Sequence, residues 1–252
     1  MNQFERHAKI RGALAEKEFL ISRELEELLG VSKATIRRDL LEFEQQGILQ
    51  RVHGGARVVS PVKDEGLDFK FFSASSSEEK VRIGKVAASL VEEGQTVLLG
   101  GGSTALEAAR CLYDRSIQII TNSIPVANLF LDCHKTEVTL TGGYLYPRLG
   151  IQIGPVCERM VRSISADLAI MGIRGITADG LSDNNAQVVE SVRAMMKAAH
   201  RVIIVADHFK FGRNAMIHVA DLHDIHEIVS DRELAVEYRQ LLENNGIRCL
   251  LA

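Results

Sequence analysis

The sequence predicts an α/β protein in parts: an N-terminal winged helix-turn-helix over residues 1–57, a linker over 58–77, and a mainly parallel, Rossmann-like α/β domain over 78–252. Three observations predict this. A tight turn leads into a basic-faced helix, and an alternating hairpin around Gly54-Gly55 follows it. From Glu79 onward, short Val/Ile-rich runs alternate with helical ones, the pattern of a parallel sheet with crossover helices. Between them, VVSPVKDEGLDFKFFSASSS holds Pro61, Gly66 and a Ser/Ala tract with little periodicity, which marks a boundary. The 252 residues far exceed a winged helix of about sixty, so a second domain is required.

In chain order, Phe4 to Ala15 predicts a first helix with Ile10 and Leu14 inward. Ile21 to Leu29 predicts a second, with Leu25, Leu28 and Leu29 on one stripe. After the Gly30-Val31 turn, Ser32 is a good N-cap for a third helix beginning at Lys33. There Ile36, Leu40 and Phe43 fall at i, i+4 and i+7 and bury one face. The opposite face presents Lys33, Thr35, Arg37 and Arg38, as a recognition helix does to base edges and phosphates in the major groove. Asp39 is placed to pair with a neighbouring arginine and hold its fork. After Gly47, ILQRVHGGARVV reads as a β-hairpin with Arg51, His53 and Arg57 outward, a basic wing for phosphates beside the groove. A basic helix face by itself is equally a solvated, salt-bridged one. Cap, turn, apolar stripe, basic first turn and basic wing together favour double-stranded DNA, with Ser32 completing the contact set.

Charge alone would not indicate DNA. The chain's formal net charge is -3, and residues 1–57 hold ten Lys/Arg against nine Asp/Glu. From Lys33 to Arg57, however, five basic residues face three acidic ones, so the positive charge is local to the reading surface. One such module binds weakly, and a homodimer or homotetramer on repeated half-sites is expected.

In the second domain the helix Glu79 to Glu93 precedes TVLLG, STALEAARCLYD precedes IQIITNS, and VVESVRAMMKAAH precedes RVIIVADHFKFG. The predicted buried strands are Thr96 to Leu99, Ile117 to Thr121, Val138 to Thr141, Asp167 to Gly172 and Val202 to Ala206. Ligands of open α/β sheets sit at the carboxyl ends of the strands, where four loops stand out. Gly100 to Thr104, with Gly101, Gly102, Ser103 and Thr104, forms a glycine-rich turn into a helix, suited to a phosphate. The others are Thr121-Asn122-Ser123, Thr141-Gly142-Gly143 and Asp207 to Lys210. A triple glycine is often just a tight turn, Thr121 to Ser123 can simply cap a helix, and Lys210 can be a surface charge. Their convergence favours an anion pocket in which Lys210 supplies the full positive charge.

Residues Val31-Ser32, Thr35 to Leu40, Arg51 and His53 to Ala56 resemble the N-terminal signature of the DeoR family of bacterial transcription regulators. Gly102 to Thr104, Thr121 to Ser123, Gly142-Gly143, and Asp207 with Lys210 to Gly212 resemble the loops of that family's effector domain. The resemblance covers nearly the whole chain. It implies a fold similar to ribose-5-phosphate isomerase and a phosphorylated sugar or related anionic metabolite as effector. It also implies repression of genes for that compound's uptake or breakdown. One departure is Gly100, where the family often carries a carboxylate suited to sugar hydroxyls.

Two other classes compete. A sugar-phosphate isomerase needs a general base, for which Asp179, Asp183 and Glu190 are candidates, yet no acid-base spacing singles one out. A metal sensor would use His218, Asp221, His223, Asp224 and His226, but these read as an amphipathic segment entering the strand Glu227 to Ser230. Neither catalysis, a metal nor any cofactor is therefore expected. Cys111, Cys133, Cys157 and Cys249 are widely spaced, without a CxxC pair. With no signal peptide or long apolar run, a reduced, cytoplasmic protein away from membranes is expected.

Overall fold

The computed structural model describes residues 6, 7, 9, 10, 19–45, 49–52, 55–58 and 78–252. The chain divides into two compact units, Met1–Ser75 and Ser76–Ala252. Most of the helix expected over Phe4 to Ala15, with Leu14, lies outside the described residues; so do His53, Gly54 and 59–77 of the expected linker.

In the first unit, strand β1 (Phe19–Ile21) leads into helices α1 (Ser22–Leu29) and α2 (Lys33–Gln45), followed by β2 (Leu49–Val52) and β3 (Gly55–Val58). The apolar faces interlock. Ile10, Leu20, Leu25, Leu29, Ile36, Leu40, Phe43, Leu49 and Ala56 form one buried cluster. Two expectations change. Ile21 is not helical: Phe19–Ile21 pairs antiparallel with β3, so the wing is a three-stranded sheet in the order β1-β3-β2. An apolar run ending in β-branched Ile suits a strand, and α1 starts only at Ser22. Leu28 is 60% exposed, because the buried stripe of α1 is the narrow i, i+4 pair Leu25 and Leu29. Gly30 closes α1 in the left-handed region at φ 62°, its N–H donating to Glu26 O. Among the described residues nothing lies near a Cβ built there, and its left-handed backbone favours glycine.

The second unit is built on seven strands: β4 (Thr96–Leu99), β5 (Gln118–Thr121), β6 (Glu137–Leu140), β9 (Ala166–Gly172), β12 (Ala199–Val205), β14 (Glu227–Ser230) and β15 (Arg248–Leu251). Their order is β15-β14-β12-β9-β4-β5-β6, and every neighbouring pair is parallel. Crossovers include α3 (Glu78–Ser89), α4 (Ser103–Cys111), α5 (Ile124–Leu129), α6 (Pro155–Arg162), α7 (Ala186–Ala198) and α8 (Val236–Asn244). Leu98, Ala169, Met171, Val202, Ile204 and Ile228 from the strands pack with Val189, Met195 and Leu242 from the helices. The six strands read from the sequence are present with ends shifted by a few residues; β15 is additional. So are a hairpin of β7 (Tyr144–Tyr146) with β8 (Ile151–Ile153), and a small antiparallel sheet of β10 (Gly175–Thr177), β11 (Gly180–Asp183) and β13 (Ile217–Ala220). Among the described residues no helix is long and apolar enough to cross a membrane.

Strand order fixes where a ligand crevice opens. From β4 the sheet grows through β5 to β6, whereas β9 returns to the other side of β4 and continues to β12, β14 and β15. The switch point lies between the carboxyl ends of β4 and β9. There the Gly100 N–H donates to Ile170 O at 3.0 Å, tying the glycine loop to the neighbouring strand.

Candidate DNA-reading surface and strand-end crevice

Ser32 caps α2 as its sequence requires: its Oγ accepts from the Thr35 N–H at 3.3 Å, and its carbonyl accepts from Thr35 and Ile36. Lys33, Arg37 and Arg38 are exposed, while Thr35 is half-buried with its hydroxyl 3.0 Å from Ser32 Oγ. The cations thus project from a helix whose other face is pinned in the core.

Asp39 does not hold a neighbouring arginine. It is buried, and its two oxygens meet Arg6 Nε at 2.8 Å and Arg6 Nη2 at 3.0 Å, with His7 Nε2 3.1 Å from Oδ1. Arg37 and Arg38 are exposed whereas Asp39 is buried, and its forked partner comes from a residue 33 positions earlier. Burial alone would raise the Asp39 carboxyl, but the Arg6 and His7 hydrogen bonds and charges outweigh it and hold it below the ordinary aspartate range.

Arg51 is likewise not a free outward side chain. Glu44, near the end of α2, accepts the Arg51 backbone N–H at 2.9 Å through Oε1 and Arg51 Nε at 2.6 Å through Oε2. The backbone N–H and then the guanidinium pull the Glu44 carboxyl below its usual range, so it stays ionised. Arg57 stands in register opposite Gln50 of β2 and Phe19 of β1; His53 is outside the described residues.

In the second unit the four loops meet the carboxyl ends of β4, β5, β6 and β12. Gly102 precedes α4 at φ 114° and, having no side chain, gives no cap, so among the described residues the first-turn amides around Ser103 and Thr104 have no side-chain cap from the N-cap position. A Cβ at Gly101 would collide with Ile151 of the β7–β8 hairpin, and at Gly100 it would press on Met171.

The Thr121-Asn122-Ser123 hydroxyls are spent inside the protein. Thr121 Oγ1 donates to Leu99 O at 2.7 Å and accepts the Ser123 N–H, while Ser123 Oγ accepts from Val126 and caps α5. Asn122 differs. Its Nδ2 donates to Gln152 O at 3.0 Å, which fixes the amide orientation, and its buried Oδ1 has no donor among the described residues. Gly142 and Gly143 also serve the scaffold. The Gly142 N–H donates to Gln152 Oε1, and Gly143, at φ 119°, would carry a Cβ only 2.7 Å from Ile153 O. Gln152, unmarked in the sequence, therefore ties the loops after β5 and β6 to the hairpin.

After β12, Asp207 is nearly buried, and its Oδ1 is a second acceptor without a donor among the described residues. Lys210 ends the one-turn helix His208–Lys210, its N–H donating to Asp207 O. Asp231, which sequence reasoning missed, anchors this loop by accepting both the His208 N–H and, at 2.8 Å, the His208 ring. Burial opposes its charge, but the His208 and Glu233 donors prevail and keep its carboxyl low. A polar residue directly after a Val/Ile strand was the available signal.

The competing clusters have structural occupations. Asp183 Oδ1 accepts the Asn184 and Asn185 N–H groups, and Glu190 pairs with Arg193 at 2.7 Å. Asp179 lines a separate cavity of about 210 Å³ with Thr177, Ser182, Asn214 and His218. Asp221, His223 and Asp224 bring ligand atoms within 4.8 Å of one another, all exposed. A capping box accounts for the two carboxylates, and His226 instead accepts the Val202 N–H.

Two family models match the chain: "DeoR-like helix-turn-helix domain" over residues 6–62 and "DeoR C terminal sensor domain" over 75–232. The glycerol-3-phosphate regulon repressor of Escherichia coli (strain K12) is 32% identical over 250 residues, covering 98% of each chain. The HTH-type transcriptional repressor GlcR of Bacillus subtilis (strain 168) is 31% identical, covering 100% of this chain and 97% of that one. Among solved structures, ribose 5-phosphate isomerase A of Methanocaldococcus jannaschii aligns at 16% identity and a TM-score of 0.38 over 52% of this chain and 53% of that one.

Proposed function

This chain belongs to the DeoR family of bacterial transcription regulators, and from that premise we propose that it represses carbohydrate uptake or catabolism genes in response to a phosphorylated sugar or similar anionic metabolite. It is a DNA-binding regulator rather than an enzyme; the relatives matching its whole length are named as repressors, and the isomerase alternative falls with that. The observation that carries the reading is the capped helix α2, buried along Ile36, Leu40 and Phe43 and exposed at Lys33, Arg37 and Arg38.

In this reading Ser32, Lys33, Thr35, Arg37 and Arg38 meet the major groove, while Arg51, His53 and Arg57 meet the flanking phosphates. The amides of Gly101, Gly102, Ser103 and Thr104 receive a phosphoryl group, and Lys210 adds charge. Asn122 Oδ1 and Asp207 accept ligand hydroxyls, and Thr121, Ser123, Gly142 and Gly143 shape the loops. A name such as glycerol-3-phosphate regulon repressor on a full-length relative supports a phosphorylated effector. Residues 1–57 read DNA, 58–77 link, and 78–252 bind effector and assemble a cytoplasmic dimer or tetramer on repeated half-sites. The effector acts only by favouring one arrangement of the reading modules over another.

Fluorescence anisotropy of the purified protein on its own promoter-region DNA, against scrambled DNA and with a panel of sugar phosphates, tests the whole reading. Sequence-preferring binding that one phosphate alters is expected; indifference to DNA under every condition refutes it. In the same assay Arg37→Ala and Arg38→Ala should each weaken operator binding by ~1 to 3 kcal/mol. Unchanged affinity in both would remove α2 from the reading surface.

A further inference from the structure

We propose that Glu44 is a positioning residue for DNA binding, holding the Arg51 guanidinium by its Nε edge so that Nη1 and Nη2 are presented to a phosphate. The inference rests on the reading that Arg51 belongs to the DNA-contacting surface.

Glu44 spends one oxygen on the Arg51 backbone N–H and the other on Arg51 Nε. The pair therefore fixes both the start of the wing and the direction of its arginine relative to the end of α2. Neither Nη1 nor Nη2 makes a hydrogen bond among the described residues, and the side chain is 32% exposed. One edge of the fork is held and the other remains available, which suits a charge-assisted contact to a phosphate oxygen.

A half-exposed ion pair of this kind contributes little to folding stability, so its effect is sought in binding. A long side chain already confined to one orientation loses less freedom when it engages a partner. Against this, the Glu44 carboxylate brings negative charge toward a polyanion. The two effects have opposite signs on removal: lost positioning weakens binding, and lost repulsion strengthens it. Positioning dominates, because both carboxylate oxygens already face Arg51 donors and the charge is largely compensated.

The test measures dissociation constants of the full chain on promoter-region DNA across a salt series. Parent, Arg51→Ala, Glu44→Ala, Glu44→Gln and the double alanine variant are compared, each with a thermal unfolding curve. Arg51→Ala should weaken binding about fivefold and reduce the log–log salt slope by about one. Glu44→Ala should weaken binding severalfold in the same direction despite losing a negative charge, and the double variant should match Arg51→Ala alone. Glu44→Gln, which keeps an acceptor for the Arg51 N–H but sets an NH2 donor against Arg51 Nε, should unfold as the parent does yet recover only part of the affinity lost in Glu44→Ala. If Glu44→Ala and Glu44→Gln bind as tightly as the parent or tighter while Arg51→Ala is impaired, the positioning role is overturned and the DNA reading stands. If Arg51→Ala changes neither affinity nor slope, its place on the DNA surface is wrong and the inference falls with it.

Discussion

Asp39→Ala is expected to destabilise the N-terminal unit by about 3 kcal/mol and to cost DNA binding with it. The carboxylate is buried, and its two oxygens account for contacts that tie α2 to Arg6 and His7. Removing one member of a buried pair usually costs more than the pair contributes, since the partner is left without compensation. The lower end applies here because Arg6 retains 14% exposure and can turn its guanidinium toward water. The sign with pH follows from the depressed carboxyl. Asp39 contributes its full stability above the ordinary aspartate value near 4, and that contribution is lost as pH falls through its lower folded-state value. Unfolding followed from pH 7 to 2 should show this acid-side loss in the parent and not in Asp39→Asn. Equal unfolding free energies for parent and Asp39→Ala at pH 7 would contradict the assignment.

Lys210→Ala is expected to abolish the response to metabolite while leaving operator affinity unchanged. Allosteric coupling is typically ~1 to 3 kcal/mol, about 5- to 150-fold in affinity, and that whole change is what the variant should lose. The expectation comes from position: Lys210 ends the turn after β12, hydrogen-bonded through its N–H to Asp207, and the turn is anchored through His208 to buried Asp231. A cation on an anchored turn at the sheet's carboxyl edge is suited to a phosphoryl group. Isothermal titration with the responsive sugar phosphate separates the outcomes. Undiminished affinity in Lys210→Ala removes the residue from the ligand's reach; lost affinity with retained DNA binding supports it.

Much of the fold was legible because its signals are local. Ile36, Leu40 and Phe43 announce their helix by spacing, and the Val/Ile runs of β4, β5, β9 and β12 announce a sheet covered on both faces. Elements with weaker signals escaped: β1 is three residues long, and β15 is a four-residue strand completed only by pairing with β14. The strand-end loops were legible as motifs, but the side-chain partners within them were not. No periodicity reveals that Thr121 turns its hydroxyl to Leu99 O while Asn122 leaves an oxygen without a donor, because Gln152 and Leu99 arrive from elsewhere in the fold. Partner choice was hidden for the same reason. Asp39 passes over Arg37 and Arg38 for a residue 33 positions away, and Arg51 of β2 finds Glu44 of α2.

Because every neighbouring pair in the seven-stranded sheet is parallel, none of its strands can find its partner through a hairpin turn. Each pairing must wait for a crossover to close, and β9 docks against β4 only after about sixty-five intervening residues have been made. The first unit's contacts are far more local and can form while the rest is still being synthesised, so the nascent chain passes through a period with a finished reader and an unfinished sheet whose strand edges are exposed to aggregation.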